Sequence, residues 1–153
     1  MIVDIMFLEW WLVIERKFVE KIYDLAMDSY NFDEVPVGAI IVKNKKIIGI
    51  GINSRDRNKS VVGHAEINAI EEACKYVGDW RLDDCEMYVT LLPCLMCAGA
   101  ILESRIKKVY FLCNRTNVCF DTLDYLNASK IVDVEYEEKY LNLLRLFFEN
   151  KRN

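Results

Sequence analysis

Residues 64–113 read HAEINAIEEACKYVGDWRLDDCEMYVTLLPCLMCAGAILESRIKKVYFLC. Two apolar helical patterns and two short β-rich runs alternate in this stretch. From His64 to Val77 the residues Ile67, Ile70, Ala73, Cys74 and Val77 recur at core spacing for a helix, and Gly78 supplies a C-cap. Glu86 to Leu91 reads as a strand. Pro93 then opens a helix from about Cys94 to Ser104, because Pro suits the first helical turn. Lys108 to Cys113 reads as a second short, buried strand. Strands that alternate with helices imply a sheet with helices on its faces. Right-handed crossovers would bring the starts of both helices to one end of that sheet.

Upstream, Arg16 to Tyr30 suggests an amphipathic helix with Phe18, Ile22, Leu25 and Ala26 on one face. Asn31 to Glu34 breaks it. Pro36 to Val42 and Ile47 to Ile52 read as two strands joined at Asn44 and its flanking lysines by a hairpin turn. Ser54 to Gly63 is polar and basic and reads as a surface loop. Downstream, Asn114 to Ser129 has no decisive pattern, Ile131 to Tyr136 suggests a strand, and Glu137 to Asn150 a helix through Leu141, Leu144 and Phe148. The fold class expected is α/β: a mixed central sheet of about five strands, covered on both faces.

At 153 residues the chain is expected to form one domain. Its net charge of −4 counts against a general electrostatic grip on nucleic acid without excluding a nucleic-acid role, which must then rest on a local basic patch beside a pocket. The longest apolar stretch, Met1 to Ile14, is interrupted by Asp4 and Glu9 and falls short of the roughly 20 residues of a membrane span. It lacks the basic leader and small-residue cleavage site of a secretory signal. A cytoplasmic, reducing location is the default. Of the six cysteines, Cys74, Cys85 and Cys113 read as small buried hydrophobes, whereas Cys94 and Cys97 have the spacing of a metal pair.

Cys94 and Cys97, at i and i+3, would share one helix face at a helix N-terminus, where exposed N–H groups favour thiolates. His64 could complete three protein ligands, which leaves zinc's fourth position to water, the catalytic pattern. Glu66 could lie beside that water and carry its proton. Each residue alone has a plainer reading: His64 satisfied by backbone, Glu66 as a first-turn carboxylate, the cysteines as core thiols or a redox pair. Together, in this order at two helix starts, they point to a catalytic zinc site. H-x-E…P-C-x-x-C is the recognised signature of zinc deaminases.

The residues resemble the cytidine deaminase-like superfamily and, more narrowly, the bacterial tRNA-specific adenosine deaminases. Four stretches carry the resemblance: Glu34-Val35-Pro36-Val37-Gly38-Ala39, Gly51-Ile52-Asn53, His64-Ala65-Glu66-Ile67, and Pro93 through Ile101. The likeness implies a three-layer α/β/α fold, a homodimer, one Zn2+ per subunit, and conversion of adenosine to inosine in a tRNA anticodon loop, with no DNA and no membrane partner. It implies that His64, Cys94 and Cys97 bind the metal and Glu66 shuttles the proton. Asn53 would hydrogen-bond the purine, and Val37 and Ala65 would line the base pocket. Arg55, Arg57 and Lys59, with Arg105, Lys107 and Lys108 as a second group, are candidates for RNA backbone contacts. Gly38 and Gly99 are expected to serve close packing.

The best-matched core is residues 16–113. Residues 1–15 precede the family's usual start and read as an added apolar helix, a dimer element or a start codon chosen too early; residues 114–153 diverge. Leu92 stands where the family usually has Glu, Ser60-Val61-Val62-Gly63 where it has Asp-Pro-Thr-Ala, and Asn117-Val118-Cys119-Phe120 where it has a Gly-Ala-rich loop. Two other readings follow: deamination of a free nucleobase, nucleoside or nucleotide (guanine, cytosine or dCMP), and a catalytically silent zinc-binding partner subunit.

Overall fold

The computed structural model describes residues 2–116 and 121–152. The expectation for the 117–120 loop therefore lies outside the described residues. Helices α1 (Ile2–Asn31), α2 (Ala65–Val77), α3 (Leu95–Glu103) and α4 (Val134–Arg152) enclose strands β1 (Gly38–Lys43), β2 (Lys46–Ile52), β3 (Cys85–Leu91), β4 (Lys108–Cys113) and β5 (Ala128–Lys130). The strand order is β2-β1-β3-β4-β5. β1 runs antiparallel to β2 and β3, while β3, β4 and β5 are parallel.

Strand alternation divides the core in two. Ala39, Ile41, Met87, Val89, Val109 and Phe111 face α2 and α3 and pack with Ala65, Ala69, Ala98 and Ile101. Ile40, Val42, Tyr88 and Leu112 face α1 and α4 and pack with Ile22, Leu25, Ala26, Tyr140 and Leu143. This is the three-layer arrangement that the alternating pattern predicts.

Small residues bring α2 unusually close to the sheet. Ala65, Ala69 and Ala73 recur every four residues, and a methyl group on Gly51 would overlap the carbonyl of Ala65. Gly38 lies against the backbone of α1 in the same way, as expected. Gly99 does not: a methyl there meets nothing within 4 Å, so its packing role is a correction. The hairpin turn forms with Asn44 and Lys45 both at positive φ, 50° and 63°, the two-residue turn that follows strand twist. Gly78 caps α2 at φ 72°, donating its N–H to Cys74.

Four boundaries differ from expectation. α1 does not begin near Arg16 but runs continuously from Ile2, so the added segment is helical, with Ile5, Met6 and Leu8 exposed. Pro93 lies outside α3: Cys94 is its extended N-cap, because the chain leaves β3 through Leu92, whose N–H still bonds Cys113. The strand expected at 131–136 is not there: β5 precedes it at Ala128–Lys130, residues 131–133 are loop, and α4 begins at Val134, where Asp133 accepts the N–H of Tyr136 as a helix cap. Finally, α4 buries Tyr140, Leu143 and Phe147, not Leu141, Leu144 and Phe148. The two sets have the same spacing and lie one residue apart, so periodicity alone cannot choose between them. Among the described residues, no helix is long and apolar enough to cross a membrane.

Candidate active site

His64 ends the loop after β2 as the N-cap of α2, and Cys94 ends the short turn after β3 as the N-cap of α3. The parallel crossover brings these two helix starts together. His64 Nδ1 lies 3.6 Å from Cys94 Sγ and 3.4 Å from Cys97 Sγ. The three ligand atoms fall within 4.8 Å of one another, the spacing that a single metal ion could bridge. Glu66, in the first turn of α2, is buried beside them.

The electrostatics follow from that crowding. The hydrogen bond from the Cys97 thiol, helped by His64, holds the Cys94 thiol down to about 3. Cys97 is pushed up, chiefly because it is the donor in that pair and is itself buried. His64 is raised by its hydrogen bond to Cys94, and Glu66 by burial. Cys85 and Cys113 are also pushed up by burial, Cys113 to about 12, and are the inert core thiols expected. Cys74 is only partly buried, with its Sγ 3.6 Å from the Trp80 carbonyl.

A cavity of about 760 Å3 opens over the cluster. Val37, Asn53, Ala65, His64, Glu66 and Cys94 are among its lining residues, which brings every expected base-pocket residue to one place. Asn53 has structural bonds as well. Its Nδ2 donates to the Val35 carbonyl at 3.2 Å, and its Oδ1 accepts the Arg55 N–H at 3.1 Å. One N–H and one lone pair of the amide remain.

Among the expected RNA-contact residues, only Arg55 lines the cavity. Arg57 stacks on Phe32, 4.3 Å from the ring centroid, and Lys59 is exposed in the loop. Arg105, Lys107 and Lys108 lie beyond the far end of α3, nine residues or about 14 Å from its start. Arg105 stacks on Trp80, Lys107 pairs with Glu86 at 3.9 Å, and Lys108 bonds Asn127 and Ser129. The structure does not bring these three residues to the cavity.

Several residues at the site escaped sequence reasoning. Buried Glu34 accepts the backbone N–H groups of Asp56 and Arg57 at 3.1 and 2.6 Å, tying down the loop before His64. Tyr140 donates its buried hydroxyl to the Pro36 carbonyl at 2.7 Å, beside Val37. The turn that carries Cys94 is held from the divergent C-terminal part: Arg115 Nε donates to the Leu92 carbonyl and Thr122 Oγ1 to the Pro93 carbonyl, at 2.7 and 2.8 Å. Leu92 itself points into the α2/α3 core, and the cavity wall is Leu91. Exposed Leu141 and Phe148, with half-buried Leu144 at the core's edge, add apolar wall to the cavity. Glu34 and Leu92 stood out in the sequence without these roles, and Leu141, Leu144 and Phe148 as a helix's apolar face; nothing there marked Tyr140, Arg115 or Thr122.

The family profile described as the cytidine and deoxycytidylate deaminase zinc-binding region matches residues 13–113. The tRNA-specific adenosine deaminase of Buchnera aphidicola subsp. Baizongia pistaciae is 37% identical over 146 residues, covering 90% of each chain. The chain belongs to this deaminase family, in its tRNA-specific adenosine deaminase branch. Two solved members extend the comparison. A tRNA:A34 deaminase, studied for A-to-I editing at the wobble position of transfer RNA, is 37% identical with a TM-score of 0.65, over 66% of this chain and 78% of that one. Guanine deaminase of Bacillus subtilis is 38% identical with a TM-score of 0.64, over 67% of this chain and 66% of that one. The family's hydrolytic deamination is the activity class of this enzyme, and the His/Cys/Cys group that could hold a metal lies within the matched zinc-binding region.

Proposed function

We propose that this enzyme converts adenosine to inosine at the wobble position of a tRNA anticodon. The observation that carries the reading is the His64, Glu66, Cys94 and Cys97 cluster under a cavity, in a chain 37% identical to a tRNA-specific adenosine deaminase over 90% of both lengths. The donor set of one imidazole and two thiols fits zinc, and these residues would hold one ion per protomer. Zinc, when bound, polarises the attacking water so that it reacts near neutral pH. Glu66 is outside the ligand set and buried beside it. It takes a proton as water adds to C6 of the purine and returns it to the departing amino group, which leaves as ammonia.

The spare N–H and lone pair of Asn53 suit the purine edge, while Val37 and Ala65 flank the ring and exclude water. Arg55 is placed to meet the RNA backbone at the mouth. A homodimer is part of this proposal. The outer face of α3 exposes Leu95 and Leu102 on either side of Gly99, an apolar patch that a second copy would cover. Sedimentation of Leu102→Glu should give monomers; an unchanged dimer places the interface elsewhere. A tRNA substrate places the enzyme in the cytoplasm.

The direct test is inosine formation in an anticodon stem–loop with adenosine at the wobble position, read by mass spectrometry of the digested nucleosides. Inosine at that position alone is expected. Its absence from zinc-loaded protein refutes the reading. The 38% identity to guanine deaminase supports a second assay, release of ammonia from free guanine, and turnover there without inosine in RNA would favour the free-base alternative.

A further inference from the structure

One cation in the cavity wall is bonded to a single backbone carbonyl, and its charge opposes in small part the burial that raises Glu66. Arg115 follows β4 by two residues and lines the cavity between Asn114 and Thr116. Its Nε donates to the Leu92 carbonyl at 2.7 Å. Among the described residues its Nη1 and Nη2 make no hydrogen bond, and it enters no ion pair. Among the described residues no buried side-chain nitrogen or oxygen lacks a partner, so these two groups are open to solvent. The guanidinium is thus anchored at one corner and presents its other edge unpaired.

Holding a carbonyl needs a single donor, which a neutral side chain could supply. The open edge is left over by that role. Arginine's planar fork binds two oxygens of a phosphate at once, and anchoring one nitrogen lowers the entropy lost when it does. The charge balance points the same way. With a net charge of −4 the chain has no general attraction for RNA, and Arg55 and Arg115 are the two arginines in the cavity lining. The cavity's volume of about 760 Å3 leaves room beyond the reacting base, out to Leu144 and Phe148.

The geometry points to Arg115 as the phosphate-binding residue of this cavity: its free Nη edge takes a backbone phosphodiester next to the reacting nucleoside. This inference rests on the tRNA reading above. A phosphate could also belong to a free nucleotide, so the test separates the two sources.

The experiment measures binding of the anticodon stem–loop by fluorescence anisotropy across a salt series, for wild type, Arg115→Gln and Arg115→Lys. Gln keeps a donor for the Leu92 carbonyl and removes the charge; Lys keeps the charge and loses the fork. In Arg115→Gln, affinity at low salt should fall on the order of tenfold. The slope of log K against log salt should flatten by about 0.7, one phosphate in a single strand. Arg115→Lys should keep the wild-type slope, a rescue that a purely structural role would not give. Zinc content and Tm should match wild type in both. An unchanged slope in Arg115→Gln overturns the inference, as does a loss of equal size at every salt concentration. AMP and adenosine serve as competitors. Both are expected to compete weakly; Arg115-dependent competition by AMP, with the stem–loop slope unaffected, assigns the site to free nucleotides and overturns the RNA assignment. Wild-type protein that fails to bind the stem–loop refutes the tRNA reading itself.

Discussion

Adding one methyl group at Gly51 should damage both stability and catalysis. Gly51 sits beneath the first residue of α2, and an ideal Cβ there would lie 2.6 Å from the Ala69 nitrogen and 2.9 Å from the Ala65 carbonyl carbon. All of these neighbours are backbone, so no side chain can swing aside. The Ala65 carbonyl oxygen lies closer still, so restoring ordinary contact at 3.4 Å requires α2 to withdraw by more than the 0.8 Å that the Ala69 nitrogen alone would need. His64 and Glu66 travel with α2, whereas Cys94 and Cys97 are held by α3. The ligand cluster would open by a similar amount. Overpacking of this kind costs about 1–3 kcal/mol, which corresponds to a Tm lower by about 2–12 °C in a chain of this size. A displacement near 1 Å at a reacting centre can cost about a hundredfold in rate. Thermal melts, zinc content and inosine formation in Gly51→Ala should therefore all fall together. Gly49→Ala, which meets Ala69 and Ala73 further along α2, should lower Tm with a smaller effect on turnover. Wild-type Tm and turnover in Gly51→Ala would refute the idea that close approach at this glycine sets the site.

Three other outcomes are expected. Glu66→Gln should keep zinc and the fold and lose about 10²–10⁴-fold in turnover; full activity would remove Glu66 from the proton path. Tyr140→Phe leaves the Pro36 carbonyl without its donor and should cost about 1–3 kcal/mol, read as a lower Tm; no change would show that the carbonyl finds another donor. After chelation, iodoacetamide at pH 6 should label Cys94, held down to about 3, and spare Cys113, held up at about 12. A mapped adduct on Cys113 before Cys94 would contradict the assigned order of acidity.

The alternation of helices and strands from His64 to Cys113 was readable because each element repeats its apolar residues at its own period, and burial on one face enforces that period. The clustering of His64, Cys94 and Cys97 was readable for a related reason. Cys94 and Cys97 are near neighbours on one helix, His64 is the chain's single imidazole, and crossover handedness puts both helix starts at one end of the sheet.

The rest depends on contacts between segments distant in sequence, which no local period encodes. α4 carries two apolar stripes one residue apart, and only docking on α1 and β4 decided that Tyr140, Leu143 and Phe147 go inward. That choice left Leu141, Leu144 and Phe148 to wall the cavity. In the same way, nothing local marks Arg115 and Thr122 as the holders of the turn before α3; the return of the chain past β4 places them there. The basic residues divide on the same ground. Arg55 and Arg105 look alike in sequence, but one stands at the C-terminal end of the β3–β4 pair beside the metal-ligand cluster and the other at its opposite end. Sequence by itself determined the layers and the reactive groups, because period and spacing are local; tertiary structure decided the walls, props and charges around them, because those arise where separate segments meet.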